Sequence, residues 1–268
     1  MSAGPRARQP PPGAVLMAFG LSGTTPEPLP GGRAHRCRDT VLTPVEDRPK
    51  ALWLAQTLHA LDVPDLRIAR PIRARDGRWI VAGWSARHFL TGAPQHRHDE
   101  IMLAALKLAH ALSGLPRPPF LGARTDPDAI ADRVAWGEAD VPVDEAKGGR
   151  WFEVLAVARR PVDLPDQVVP GDLFGAVLFD GDAPPGIVDF DPFHRPAEWG
   201  AAVAAVDAVA WGDAAPEFLE RWAHLPEWPQ LLLRAVLFRL AGNALSPRAT
   251  AASLDGLRAA AAAVSEIL

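Results

Sequence analysis

Cysteine occurs once, at Cys37, which excludes an intrachain disulfide and any cysteine-based zinc site. Tyrosine is absent, which removes one common general acid and phenolic ligand. Lysine is found only at Lys50, Lys107 and Lys147, so nearly all of the 28 basic residues are arginine. No apolar run approaches the roughly 20 residues that span a bilayer. The start, MSAGPRARQPPPG, lacks the apolar stretch of a secretory signal. Together these absences predict a cytoplasmic protein with no membrane partner. A formal net charge of −4 does not support nucleic-acid binding.

What is present suits a folded chain. Of 268 residues, 48% are hydrophobic and 22% charged, so wholesale disorder is excluded and one large domain or two lobes is expected. Charge is uneven: residues 1–75 carry a net +5, leaving −9 for the remainder. Such asymmetry suits a site that grips phosphate on one side and a cation on the other, and equally suits plain solvated surfaces. Residues 1–13 read as a disordered Pro-rich tail.

Residues 14–90 read as a β-rich lobe. A short helix over 14–19 stops at Gly20, and Thr40-Val41-Leu42-Thr43 is strand-prone. Asp47 caps a helix over 49–61. Residues 67–84 suggest a hairpin turning at Asp76-Gly77, a type I′ signal. From 91 to 268 the periodicity becomes helical. Helices are predicted from Asp99 to about Gly114, after Thr125 or Asp126, and over 151–159, 196–211, 229–240 and 249–268. The first has an apolar face of Ile101, Leu103, Ala104, Leu106, Leu108 and Leu112. Among the helices lies one non-helical insert, 168–193, predicted to form a hairpin. His96 and His98 form a His-x-His pair, but positions two apart on a helix do not face each other, which favours a polar helix start over a metal site.

The insert carries the sharpest chemistry. Gly171-Asp172-Leu173 precedes an apolar strand, Val177-Leu178-Phe179; after a turn come Ile187-Val188-Asp189-Phe190. Two aspartates 17 residues apart then flank one hairpin. One carboxylate can orient an attacking hydroxyl, and the other can hold Mg²⁺ against phosphates. Both can also simply cap turns.

This stretch resembles the catalytic loop and metal strand of aminoglycoside phosphotransferases and related small-molecule kinases. Their pattern is His-Gly-Asp, a few residues, Asn, an apolar strand, then Ile-Asp-Phe or Ile-Asp-Trp. PFLGARTDPDAIADRVAWGE, GDLFGAVLF and LLLRAVLFRLAGNAL place the chain nearest an uncharacterised actinobacterial branch. The resemblance implies an α+β, two-lobed protein-kinase-like fold with a small β-rich N-lobe and a larger helical C-lobe. It implies ATP and Mg²⁺ as cofactors and a small-molecule ligand in the inter-lobe cleft. By resemblance Asp172 is the catalytic aspartate and Asp189 the metal ligand, with Asp191 able to contribute. Asp207 supports the catalytic loop, and His194 is a nearby acid, base or ligand contact. Gly31 and Gly32 occupy the phosphate-covering turn, Thr43 the nucleotide-lysine position, and Trp84 and Ser85 the inter-lobe linker.

The chain also departs from that pattern. Thr43 stands where the family has a lysine, Pro170 replaces the catalytic-loop histidine, and the asparagine ligand is replaced by Ala176 if the loop is one residue shorter, or by Val177 otherwise. Arg33, Arg36 or Arg38 are candidate substitutes for the missing cation. Three functions follow from the resemblance and its departures. The first is ATP-dependent phosphoryl transfer to a small-molecule hydroxyl. The second is an inactive pseudokinase that binds a nucleotide, metabolite or protein partner. The third is a cleft repurposed for metal-free acid–base chemistry through Asp172.

Overall fold

Alternation of buried and exposed side chains sets the sheet of the first part. A computed structural model describes residues 9–268. Residues 1–8 of the predicted tail lie outside the described residues, and Pro12 is already the N-cap of helix α1 (Gly13–Ala18). Strands β1 (Glu27–Pro28), β2 (His35–Cys37) and β3 (Thr40–Pro44) follow, then helix α2 (Arg48–Ala60) and strands β4 (Arg67–Ile68), β5 (Pro71–Ile72), β6 (Ile80–Val81) and β7 (Trp84–His88). Asp47 caps α2, its carboxylate accepting from the Lys50 N–H at 3.0 Å. At the other end Arg70 donates to the carbonyls of His59 and Leu61, two of the orphan acceptors of a helix terminus.

The antiparallel sheet runs β1-β2-β3-β7-β5, with β6 also on β7. Its pairings place Leu42 opposite Ala86, and Val41 opposite Arg87. Successive side chains point to opposite faces. One face therefore carries Cys37, Leu42, Trp84 and Ala86, which pack with Val15 and Phe19 of the α1 segment. The other carries Val41, Thr43, Ser85 and Arg87. Ile80 and Trp79 pack there with Ala55 of α2.

The hairpin over 67–84 folds differently from the prediction. At Asp76-Gly77 only Gly77 has positive φ, and Ala74 and Arg78 close a three-residue loop. The two-residue turn lies further on, at Ala82-Gly83, where φ is +48° and +80°. Positive φ at both central positions is the type I′ geometry, which matches strand twist. The arm predicted as one strand over 78–84 is thus broken into β6 and the start of β7. Trp84 and Ser85 consequently sit in the sheet interior, not in a linker.

Helix α3 (His98–Leu112) opens the second part. Its N-cap is Arg97, not Asp99, which lies in the first turn. Its buried face is Ile101, Met102, Ala104, Ala105, Leu108, Ala109 and Leu112, while Leu103 is left 47% exposed. Helices α4 (Pro127–Trp136) and α5 (Gly149–Ala156) precede strand β8 (Asp166–Pro170). After the short strands β9 (Val177–Leu178) and β10 (Gly186–Ile187), strand β11 (Pro192–Pro196) pairs antiparallel with β8. Helices α6 (Trp199–Trp211), α7 (Trp228–Leu245) and α8 (Ala251–Ile267) complete the chain. Trp199, Phe193 and Phe238 form an edge-to-face cluster with centroids 5.2–5.6 Å apart at the centre of these helices. Among the described residues no helix is long and apolar enough to cross a membrane.

The chain divides into two compact units. One runs to Ala93 and adds Leu178–Asp189; the other holds Pro94–Val177 and Phe190–Leu268. The insert predicted to belong wholly to the helical part is therefore split. β10 pairs in parallel with β4, placing Gly186 opposite Arg67 and Ile187 opposite Ile68. Arg67 also donates to the Pro184 carbonyl at 2.7 Å. These bonds join the tip of the insert to the β-rich unit.

Ala82 holds a left-handed backbone that costs an L-residue roughly 1–2 kcal/mol. Asn tolerates that geometry better than Ala. Ala82→Asn is expected to stabilise the protein by about 0.5–1 kcal/mol by relieving part of that cost, read as a higher midpoint in thermal unfolding followed by circular dichroism.

Candidate functional site

Asp172 sits in a loop built by close approach. Gly171 follows the last residue of β8, and its N–H donates to the Asp191 carbonyl at 2.9 Å. A Cβ on Gly171 would lie 2.3 Å from a ring carbon of Phe193, so only glycine fits. Leu173, 2% exposed, anchors the loop in the core. The Ala176 N–H turns back to the Leu173 carbonyl at 3.0 Å. Between these anchors the Asp172 side chain stands 59% exposed.

One arginine holds it. Arg239 of α7 donates to Asp172 Oδ1 at 2.9 Å. The same guanidinium makes two hydrogen bonds to Asp207 of α6, one of them from Nε to Oδ1 at 2.7 Å. Asp207 is 1% exposed, and burial pushes its carboxyl up to about 6 against the pull of Arg239. Burial would weaken the arginine, but Asp207 and Asp172 outweigh it and hold Arg239 above arginine's ordinary value. Asp207 thus reaches the loop through a second side chain. Nothing in the spacing of LLLRAVLFRL singles out Arg239.

Asp191 is occupied differently from the expectation that it helps hold a metal. Its Oδ2 accepts from buried Arg124 at 2.7 Å. Arg124 also grips Asp126 with two bonds of 2.8 Å and donates to the Pro192 carbonyl at 3.1 Å. Burial works against the Asp126 charge, yet Arg124 holds that carboxyl down to about 2. Asp126 is meanwhile the N-cap of α4, accepting from the Ala129 N–H. Asp191 therefore ties β11 to α4 as a structural ion pair.

His194 points away from this loop. On β11 it alternates with Phe193, which covers Gly171. His194 Nδ1 lies 3.9 Å from Asp166, in a charged pocket with Arg117 and Arg195. Burial lowers its pKa, opposed by Asp166. His96 precedes α3, so the helix-spacing argument does not apply to it; its ring stacks on His98 at 5.6 Å, and His98 stacks on Phe174. Among the described residues no group of three or more His, Cys, Asp or Glu is arranged to hold a metal.

The β-rich unit holds the other candidates. Gly31 and Gly32 form the β1–β2 turn, closed by the Leu29 N–H on the Ala34 carbonyl at 2.9 Å. Thr43 lies on β3, where Arg87 Nη1 donates to its Oγ1 at 3.0 Å. Ser85 Oγ donates to the Thr43 carbonyl at 3.4 Å. Asp189 is exposed at the end of Leu178–Asp189 and attracts Arg87. Of the arginines proposed as substitutes for a lysine, Arg36 lies over the Phe89 ring at 3.6 Å and donates to the Arg38 carbonyl.

No family model matches the sequence, and no curated protein resembles it closely enough in sequence to count as a relative. Solved structures do match in fold. Spectinomycin phosphotransferase APH(9)-Ia in an AMP-bound complex superposes with a TM-score of 0.61 at 14% identity, over 94% of this chain and 96% of that one. A microcompartment-associated aminopropanol kinase gives 0.59 at 16% identity, over 94% of each chain. Choline kinase LicA from Streptococcus pneumoniae gives 0.57 at 9%, over 94% of this chain and 98% of that one. The fold is that of aminoglycoside phosphotransferases and small-molecule kinases, as the resemblance implied.

Removing Arg239 strands a buried carboxylate, a loss typically worth about 3–5 kcal/mol. The loss depends on pH. A carboxyl whose folded pKa is raised contributes stability that is present below its unfolded value of 3.8 and is lost as pH rises through the folded value. Without Arg239 that folded value rises further, because its main opposing pull is gone. Arg239→Met is therefore expected to be destabilised more at pH 8 than at pH 5, measured by urea unfolding at both.

Proposed function

We propose that this protein transfers the γ-phosphoryl group of a nucleoside triphosphate to the hydroxyl of a small molecule. The observation that carries the reading is the Asp172–Arg239–Asp207 chain. It presents one exposed carboxylate from a loop pinned at Gly171, Leu173 and Ala176, in a chain that shares its fold with small-molecule kinases over nearly its whole length.

Phosphoryl transfer demands positioning and charge compensation more than covalent chemistry from the protein. Asp172 supplies the positioning. Its tether uses Oδ1, and the carboxylate accepts a hydrogen bond from the acceptor hydroxyl and orients it for attack. Arg239 fixes where that carboxylate stands. Asp189 is the residue that would hold Mg²⁺. Magnesium commonly takes one or two protein carboxylates and completes its shell with phosphate oxygens and water, so a lone carboxylate suits it. When bound, the ion neutralises charge on the phosphates. Ala176 adds no ligand, and Asp191 is engaged by Arg124 through Oδ2. The matching structures include complexes with spectinomycin and hygromycin B, a choline kinase and an aminopropanol kinase, which makes amino-bearing alcohols the first acceptors to try.

A second reading, nucleotide binding without transfer, draws on the apolar Ala176 and Pro170 at positions where the family pattern has polar ones. One experiment separates the two. The protein is incubated with Mg·ATP and a panel of those alcohols, and phosphorylated product is followed by ³¹P NMR. Transfer is expected with the wild type. It should fall by about 10²-fold or more in Asp172→Asn, the usual scale for a well-placed polar group in a reaction of this kind, while ATP affinity stays unchanged. ATP binding with no product across the panel would favour the binding-module reading.

A further inference from the structure

The β-rich unit lacks the lysine that the family pattern puts on β3. It also has no lysine on any of its strands: Lys50 lies in α2, Lys107 in α3, and Lys147 beyond them. Yet a cation stands at that place. β3 and β7 pair with Val41 opposite Arg87 and Thr43 opposite Ser85. Arg87 and Thr43 are thus diagonal neighbours on one face, within reach of a long side chain. The guanidinium crosses to β3 and donates to Thr43 Oγ1 at 3.0 Å. The positive charge ends where the side chain of residue 43 ends, although it starts one strand away.

Three features set this arginine apart from a surface one. First, its partner on β3 is a neutral hydroxyl, whereas Arg124, Arg195 and Arg239 are each clamped by two carboxylates. Second, it feels the attraction of Asp189, the residue assigned to the metal. A cation and a carboxylate that would hold a metal, in one unit, are the two groups that a polyphosphate would bridge. Third, burial disfavours its charge, but arginine stays protonated throughout the physiological range. The opposite face of the same strands is filled by Leu42, Trp84 and Ala86, so the charge has one side on which to act.

We propose that Arg87, seated on Thr43, is the phosphate-binding cation of this protein: it contacts the α- and β-phosphates of a nucleoside polyphosphate in place of a β3 lysine. The inference rests on the reading of this unit as a nucleotide site. A guanidinium offers paired donors to phosphate oxygens where an ammonium offers a point charge. Thr43 then serves as the hydroxyl that holds the guanidinium in position, and the threonine is a working part of the site.

The test is calorimetric titration of the full chain with Mg·ATP, ADP, AMP and adenosine. Wild type is compared with Arg87→Gln, Arg87→Lys and the double variant Arg87→Gln/Thr43→Lys. Arg87→Gln should weaken ATP and ADP by about 10-fold or more, the scale of a lost hydrogen bond to a charged group. Adenosine, which has no phosphate, should bind unchanged. The double variant, which moves the cation onto β3, should recover most of the lost ATP affinity. Thermal unfolding of each variant checks that it is folded; if Arg87→Gln does not fold, Arg87→Lys and the double variant carry the comparison. Equal ATP affinity in wild type and Arg87→Gln overturns the role of Arg87 and leaves the nucleotide site standing. A parallel loss for adenosine overturns it as well, because the effect is then on the fold. Failure of the wild type to bind ATP or adenosine overturns the nucleotide reading, and the role of Arg87 with it.

Discussion

Arg239 is a long, charged side chain of α7 that ties α6 and the loop after β8 together. A guanidinium taken out of water is tolerable only when its donors are matched by acceptors. Asp207 matches it with two bonds from α6, and Asp172 takes a third at the surface. The pair at Asp207 is buried on an otherwise apolar helix, where Trp199 to Ala208 are all shielded from solvent. Its energetic return against an apolar pair is small, as for most buried ion pairs. What it achieves is placement: the one exposed carboxylate of the loop is fixed relative to two core helices.

The same device recurs nearby. Arg195 makes paired bonds to Asp132 and to Glu138, joining β11 to the α4 region. Arg124 joins Asp126, Asp191 and the Pro192 carbonyl. Each uses the planar fork of arginine, which binds two groups at fixed angles. A lysine in any of these places keeps the charge and loses the angle. The near absence of lysine therefore has a structural counterpart: the charged groups around the loop act as brackets.

The legible part of the fold was the part governed by local rules. Asp47 and Asp126 announce their helices because a carboxylate before Pro at the first turn satisfies free N–H groups. The placement of Asp172 after strand β8 and of Asp189 near the short strand β10 is legible because short apolar runs bounded by Gly and Asp read as strands and turns. The errors share one cause. Asp76-Gly77 has better turn residues than Ala82-Gly83, yet the two-residue turn forms at the latter. Strand pairing to β3 and β5 decides where β7 must begin, and local preference yields to it. Trp84 and Ser85 moved from a predicted linker into the sheet for that reason. Asp191 likewise has a partner that local rules do not announce: Arg124 engages its Oδ2 from 67 residues away in the chain.

By itself, the sequence determined the inventory: a β-rich first part, a helical second part and two aspartates at the ends of one insert. These follow from periodicity, capping and motif spacing, which act within a few residues of the chain; the family pattern and its missing lysine and asparagine came from resemblance. Only the tertiary structure decided the partners. It split the insert between two units, set Arg239 between Asp207 and Asp172, and brought Arg87 to Thr43 across a strand pair. The physical reason is the reach of the interactions. An arginine spans several ångströms in any direction, so its partner is chosen by which strand or helix packs beside it, and packing is settled by the buried apolar faces of whole elements.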